Sequence, residues 1–374
     1  MPDTEESPTP ESPQDRRLIL FWSVGLVLFY ILVGALIIPW VRQNKLAEDQ
    51  RLQALIESPT TQLGATYTEA PPPGYEGAPA EVQAGVYLNQ IPDISLRDFY
   101  WTVDFLVWFT WEGEGLDPGE TFAITGGQIL SREKVAESVQ GTTHYARYHV
   151  TAQVYKFFDV SRFPLNQYVL TLAVEDSQHP AYALRYVADA QNSAVGPRVR
   201  ILEGVRIIQS AALVKLQTYP TGLGDPTLPP GYQPAYSTFI YGVWTSSPGL
   251  RFYLKLFLAL FVSVVLAISV FFIKPTDVDP RFGLGVGALF ASVANAYIIS
   301  SSLPPSGGVV LVDMVNSLGV ATIFLTVVES ILSLYLYDIR DKQALSRRLD
   351  RVSAAIFLVA YIALNVAIPL AALA

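Results

Sequence analysis

Hydrophobic and polar residues change their spacing three times along this chain. Residues 18–40, "LILFWSVGLVLFYILVGALIIPW", form an uncharged run, long enough to cross a hydrocarbon core of ~30 Å at ~1.5 Å per residue. From residue 86 the period becomes two: "VYLNQIPDISL", "FYWTVDFLVWFTWE", "YARYHVTAQVYKFF", "YVLTLAVED", "YALRYVAD", "GVRIIQSAALVKLQ" and "STFIYGVW" are β-branched and aromatic runs bounded by turn residues. Consecutive strands with no helical stretch between them predict antiparallel sheets packed face to face, a β-sandwich over residues 85–250. The last third returns to long apolar runs and predicts four spans, 252–273, 281–302, 309–337 and 352–373, as a transmembrane domain over 251–374. Residues 1–17 begin rich in Pro, Ser and Glu and predict a disordered tail. Residues 41–84 predict a helix-like stretch that Pro59 stops, then an extended linker containing "EAPPPGYEGAPAE".

Composition agrees with the spans: 51% hydrophobic and 16% charged residues place the chain among membrane proteins. The first run ends in Pro39, Trp40, Val41 and Arg42 rather than in the small residues of a cleavage site, so it predicts an uncleaved anchor. Arg16 and Arg17 make a twin-arginine export signal the weaker alternative. Lys274 and Arg281 flank one short connection, and Arg340, Lys342, Arg347, Arg348 and Arg351 crowd another, whereas "LPPSGG" is uncharged. The positive-inside rule then puts the N-terminus in the cytoplasm and the sandwich on the outer side of the membrane. The expected fold class is a membrane α+β protein: sandwich, then a four-helix bundle, plus one N-terminal transmembrane helix.

Absent cysteine removes disulfides and thiolate metal sites. His144, His149 and His179 lack metal-ligand spacing, so no metal or cofactor is expected. No basic stripe suggests nucleic acid. The glycines at 283, 285 and 287 follow no strand and lie inside a span, so they make no nucleotide loop. No catalytic constellation is visible, and an enzyme is not expected.

The segment "FFDVSRFPLNQYVLTLAVED", residues 157–176, resembles the signature loop of the pentameric ligand-gated ion channels, written Phe-Pro-Phe-Asp after an aromatic-Asp pair. Phe163, Pro164 and Asn166 match in place or in kind; Leu165 replaces the second aromatic and Asn166 the aspartate. Gln167 stands one residue before the family's usual glutamine, and the bracketing cysteines are absent, as in bacterial members. "IPDISLRDFYWTVDFLVWFTWEGEGL" is similar to the family's first two strands, ending at Trp111 and Glu112. "PRFGLGV" through "NAYIISSSLP" is similar to its pore helix, and Glu329, an intramembrane ionisable residue, stands where bacterial members carry a glutamate. The resemblance covers residues 85–374 and implies a homopentamer in a lipid membrane, opened by a small ligand or ion.

At ~100° per residue, Gly283, Gly287, Phe290, Ala294, Tyr297 and Ser301 fall on one side of the second predicted span. The resemblance turns that stripe toward a pore axis, with Phe290 as a hydrophobic gate that closes by dewetting, or else as an aromatic that packs the bundle, and Tyr297 as an outer constriction. Gly283 and Gly287 also read as a small-xxx-small packing pair. Asp279 reads both as a pore-mouth carboxylate favouring cations and as a helix N-cap before Pro280. Ser292 and Asn295 lie off the stripe and are expected to bond neighbouring helices. The resemblance places coupling at Arg97, Asp98, Phe163, Pro164, Asn166, Arg251, Pro304, Pro305 and Ser306 to Gly308, with Arg251 and Asp98 as a candidate ion pair. It places a ligand beneath "TYPTGLGDPTLPPGYQPAYS", where Tyr219, Tyr232 and Tyr236 suit a cation.

Two other readings stand beside the channel. A non-conducting sensor or assembly protein of the same fold suits a stripe with few hydroxyls. A membrane-tethered enzyme or transporter lacks both a catalytic set and paired broken helices.

Overall fold

A computed structural model describes residues 13–197, 199, 205–305 and 308–373. Most of the expected disordered tail, and Ser306 and Gly307 of the expected coupling stretch, lie outside the described residues. The first element, α1 (Pro13–Glu57), is a single 45-residue helix that passes through Pro39 and ends two residues before Pro59. Pro59 biases its predecessor away from helical backbone, which accounts for the stop. Anchor and helix-like stretch are thus one continuous element.

Ten strands follow: β1 (Ala80–Ser95), β2 (Tyr100–Glu112), a four-residue turn of helix α2 (Pro118–Thr121), β3 (Phe122–Ile124), β4 (Gly127–Gln140), β5 (Thr143–Tyr155), β6 (Val169–Asp176), β7 (Leu184–Ala188), β8 (Ala194–Val195), β9 (Ile207–Thr218) and β10 (Ala235–Thr245). The larger sheet runs β4-β5-β2-β1-β7, with β8 also on β1; the smaller runs β3-β6-β10-β9. Pairing is antiparallel except that β7 and β8 run parallel to β1, where fully antiparallel sheets were expected. In β2, Trp101, Val103, Phe105, Val107, Phe109 and Trp111 are buried and the residues between them are half-exposed. Both sheets feed one core, which holds Val107 and Phe109 together with Leu172, Phe239 and Tyr241. β4, "GQILSREKVAESVQ", is exposed almost throughout. Charged residues on such an edge discourage pairing with other chains.

The remaining helices are α3 (Gly249–Leu256), α4 (Leu258–Ser269, extended by a 3₁₀ turn Val270–Phe272), α5 (Val278–Ser301), α6 (Leu311–Leu334, extended by a π turn Tyr335–Ile339) and α7 (Gln343–Leu373). α3 and α4 are bent by 57°, so the expected span 252–273 is not one straight helix. Among the described residues, four helices are long and apolar enough to cross a membrane, or five if the bent pair counts as one.

The chain divides into two compact units. One takes α1 up to Leu46, Val160–Asn166 and the chain from Gly249; the other takes Ala47–Asp159 and Gln167–Pro248. In the helical unit, α1 lies on α7 and α6: the Trp22 Nε1 donates to Ser353 Oγ at 2.9 Å, and Tyr30 Oη and Thr322 Oγ1 share a hydrogen bond of 2.9 Å. Close approach relies on glycine at Gly319, where an added Cβ lies 2.5 Å from Leu260 Cδ1, and at Gly285, where it lies 2.9 Å from Val327 Cγ2.

Overpacking a close helix contact costs about 1–3 kcal/mol. Gly319→Ala is expected to lower the thermal midpoint of detergent-solubilised protein. Gly25→Ala, where nothing lies within 4 Å, is expected to leave it unchanged or raise it slightly through helix propensity; circular dichroism melts compare the two.

Candidate functional site

α5 is held by a narrow face. Arg281, Gly285, Ala288, Ser292 and Ile299 are its buried residues, and at ~100° per residue they converge on one line. Gly283, Gly287, Phe290, Ala294, Tyr297 and Ser301 lie on the opposite side and are exposed. Phe290 is 73% and Tyr297 75% accessible, so no other helix among the described residues covers them. An added Cβ at Gly283 or Gly287 meets nothing within 4 Å, so the packing glycine of this helix within the chain is Gly285.

Two local expectations are corrected here. α5 begins at Val278 with Asp277 as N-cap, so Asp279 and Pro280 already lie in its first turn and Asp279 is not the cap. Ser292 Oγ donates to Leu289 O of its own helix at 2.8 Å, and among the described residues Asn295 Nδ2 has no hydrogen-bond partner, rather than either bonding a neighbouring helix. Serine satisfies itself this way because its hydroxyl reaches a carbonyl one turn back.

At the start of α5 stands a group that single-residue reading divides wrongly. The Arg281 guanidinium is buried, with Nη2 2.7 Å and Nη1 3.2 Å from the two carboxylate oxygens of Asp350 on α7. Its Nη1 also donates to Ile273 O at 3.3 Å, and Glu329 Oε2 on α6 lies 3.7 Å from Nη2. Glu329 and Asp350 are both buried, so three helices meet at one guanidinium. Asp350 was missed because it sits in "SRRLDRVS" among basic residues and looks like a solvated partner for them.

At the other end, the signature-like segment belongs to the helical unit. Ser161 O accepts from Leu311 N at 2.8 Å, at the first residue of α6, and Arg162 Nη1 donates to Ala372 O of α7 at 2.7 Å. Phe163, joined to Pro164 by a cis peptide, packs edge-on to Phe252 of α3 at 6.4 Å. Asn166 is 1% exposed and its amide has no hydrogen-bond partner among the described residues. Pro304 is buried, while Pro305 and Arg251 are exposed.

In the strand unit, Arg97 and Asp98 occupy the exposed β1–β2 turn. Ser95 Oγ donates to Asp98 Oδ2 at 2.7 Å. Phe99 completes the turn at φ 58° and stacks on Phe157 at 5.3 Å. On the β9–β10 hairpin, Tyr219 and Tyr236 come together, edge to face at 5.5 Å. Tyr219 Oη donates to Glu175 Oε1 at 2.9 Å, and Thr238 Oγ1 donates to Oε2 at 3.2 Å. Tyr232 is not part of that pair: it is buried and donates to Ala70 O at 2.9 Å. Burial raises the Glu175 carboxyl above its ordinary range, although the Tyr219 and Thr238 hydrogen bonds pull the other way.

Breaking a buried ion pair by removing one partner costs about 3–5 kcal/mol. Asp350→Ala is expected to cost that much in denaturant unfolding, and Glu329→Gln, which keeps both Asp350 bonds, about 1 kcal/mol or less. For Glu175 the folded state favours the protonated form. Stability is therefore full below the ordinary 4.5 and falls as pH rises through the raised value. Thermal midpoints measured across that interval should show the fall in the wild type, and Glu175→Gln should flatten it. No family model matches this chain, and no curated protein matches it.

Proposed function

We propose that this chain is the subunit of a homopentameric ligand-gated ion channel in a bacterial inner membrane, conducting cations, with its two-sheet unit as a periplasmic β-sandwich that binds the stimulus. The observation that carries this reading is the bare face of α5. An apolar helix that a chain leaves uncovered along Phe290 and Tyr297 needs lipid, another subunit or a pore against it. Glycines at 283 and 287 with nothing against them, and Ser301 at the end of the same line, suit an axis better than lipid.

In a ring of five, Phe290 forms a hydrophobic constriction that closes by dewetting. Asp279, exposed in the first turn of α5, supplies carboxylates at the mouth. Arg281 does not offset them, because its charge is engaged by Asp350 inside the helical unit. Coupling is supported by the segment Val160–Asn166, which leaves the strands at Asp159, joins the helical unit and returns at Gln167. Its hydrogen bonds go to the start of α6 and the end of α7, so a displacement of the flanking strands is carried covalently to the helices.

The second reading is a non-conducting sensor or assembly protein of the same architecture. Val286, Phe290, Val293, Tyr297 and Ile298 are all exposed along α5, and a wall so apolar favours a dry helix interface over a hydrated path. Planar-bilayer recording of purified protein separates the two. Phe290→Ala should give a standing leak, at least several-fold above the closed wild type. Silence from both proteins, or a particle without five-fold symmetry, would sink the channel reading.

A further inference from the structure

The last turns of α1 cover part of the smaller sheet on the face opposite its core. Along β6, Leu170, Leu172 and Val174 point into the core, so Val169, Thr171 and Ala173 point the other way. Along β10 the same alternation sends Phe239, Tyr241 and Val243 inward and Ile240, Gly242 and Trp244 outward. Leu52, Leu55 and Ile56 of α1 face these outward residues across a cavity of about 250 Å³. An ordinary outward face is wetted and polar; this one is largely apolar and roofed by a helix.

Gly242 shapes the cavity. A Cβ there would lie 3.0 Å from Cζ3 and Cη2 of Trp244, so the missing side chain lets the indole fold flat over the strand as an aromatic wall. The volume exceeds the ~150 Å³ of an apolar cavity that admits benzene and falls just below the ~300 Å³ where drug-sized pockets begin. It suits one ring or a short acyl chain with a polar head.

The charges on the lining are all positive. Lys215 is buried, and its ammonium donates to Leu55 O, to Ile56 O at 3.1 Å and to Ser58 O at 2.5 Å, capping the C-terminal end of α1. Those acceptors are neutral carbonyls, and among the described residues no acid pairs with it. Lys156 also lines the cavity, and among the described residues its ammonium has neither hydrogen bond nor carboxylate. Burial lowers its pKa, as expected for a cation removed from water without a partner. Among the described residues no Asp or Glu lines this space. Thr61, Thr171 and Gln217 are its other polar groups, and Thr61 Oγ1 already donates to Gln217 Oε1 at 2.5 Å.

We infer that this cavity binds a small organic carboxylate, an aryl or short acyl acid, with its apolar body against Leu52, Ile56, Ile240 and Trp244 and its carboxylate on Lys156. A carboxylate supplies the acceptor and counter-charge that Lys156 lacks among the described residues, while an uncharged ligand leaves the half-buried ammonium without a partner. The site lies within the strand unit and does not depend on conduction; it gives the second half of α1 a role as the roof of a binding pocket.

Isothermal titration of full-length protein in lipid nanodiscs, with benzoate and the uncharged benzyl alcohol as probes, tests this. Benzoate should bind one per chain and at least tenfold more tightly than benzyl alcohol. Lys156→Met should remove that preference while raising the thermal midpoint of the unliganded protein, since an unpaired, partly desolvated charge disappears. Lys156→Arg should keep benzoate binding, and Ala173→Phe, which fills the cavity without touching a charge, should abolish binding of both probes. Equal affinity for the two probes, benzoate binding unaffected by Lys156→Met, or binding that survives Ala173→Phe would each overturn the inference.

Discussion

The helical unit depends on one buried cation. Arg281 stands in the first turn of α5 with its guanidinium enclosed by α6 and α7. Removing such a group from water costs several kcal/mol, recovered only when its donors are matched by acceptors in good geometry. Asp350 provides the two-pronged match, Ile273 O takes another donor, and Glu329 lies close by. Because the guanidinium is planar and its donors fixed in a fork, that match sets not only where α5 begins but which way it faces. The rotation that buries Arg281 also buries Gly285, Ala288 and Ser292, and leaves Phe290 and Tyr297 bare on the far side.

Close packing follows the same division. Gly285 and Gly319 let helices approach where a methyl group would collide, whereas Gly283 and Gly287 face open space. Glycine costs a helix about 0.5–1 kcal/mol relative to alanine. At Gly285 the contact with Val327 offsets it. At Gly283 and Gly287 nothing among the described residues does, which directs attention to what lies outside the chain.

The strand unit shows a comparable economy on its outer face. A sheet surface is normally covered by water, and here α1 and the following Pro-rich stretch cover part of it: Lys215 caps the helix, Thr60 bridges Leu216, and Thr68 and Ala70 bond the β10 end of the hairpin. The stretch that composition marks as a free linker is therefore tied down by backbone hydrogen bonds. Proline lacks an N–H but keeps its carbonyl, and Pro59 O accepts from Leu216 N at 3.0 Å.

Sequence alone determined what depends on neighbours a few residues apart. The alternation from Trp101 to Trp111 needs only the two-residue pleat, the apolar runs need only the length of a helix, and the α5 stripe needs only the turn angle. β4 escaped notice because neither of its faces is covered, so no apolar alternation marks it. The bend between α3 and α4 also left no trace, since no proline or glycine lies between Leu250 and Ile273. Tertiary structure alone decided the pairings of distant residues: Asp350 with Arg281, Tyr219 with Glu175, Arg162 with the end of α7, and the apolar walls around Lys156. A charge in a sequence looks the same whether water or protein will surround it, and its neighbours through space settle which charges are buried and what must answer them.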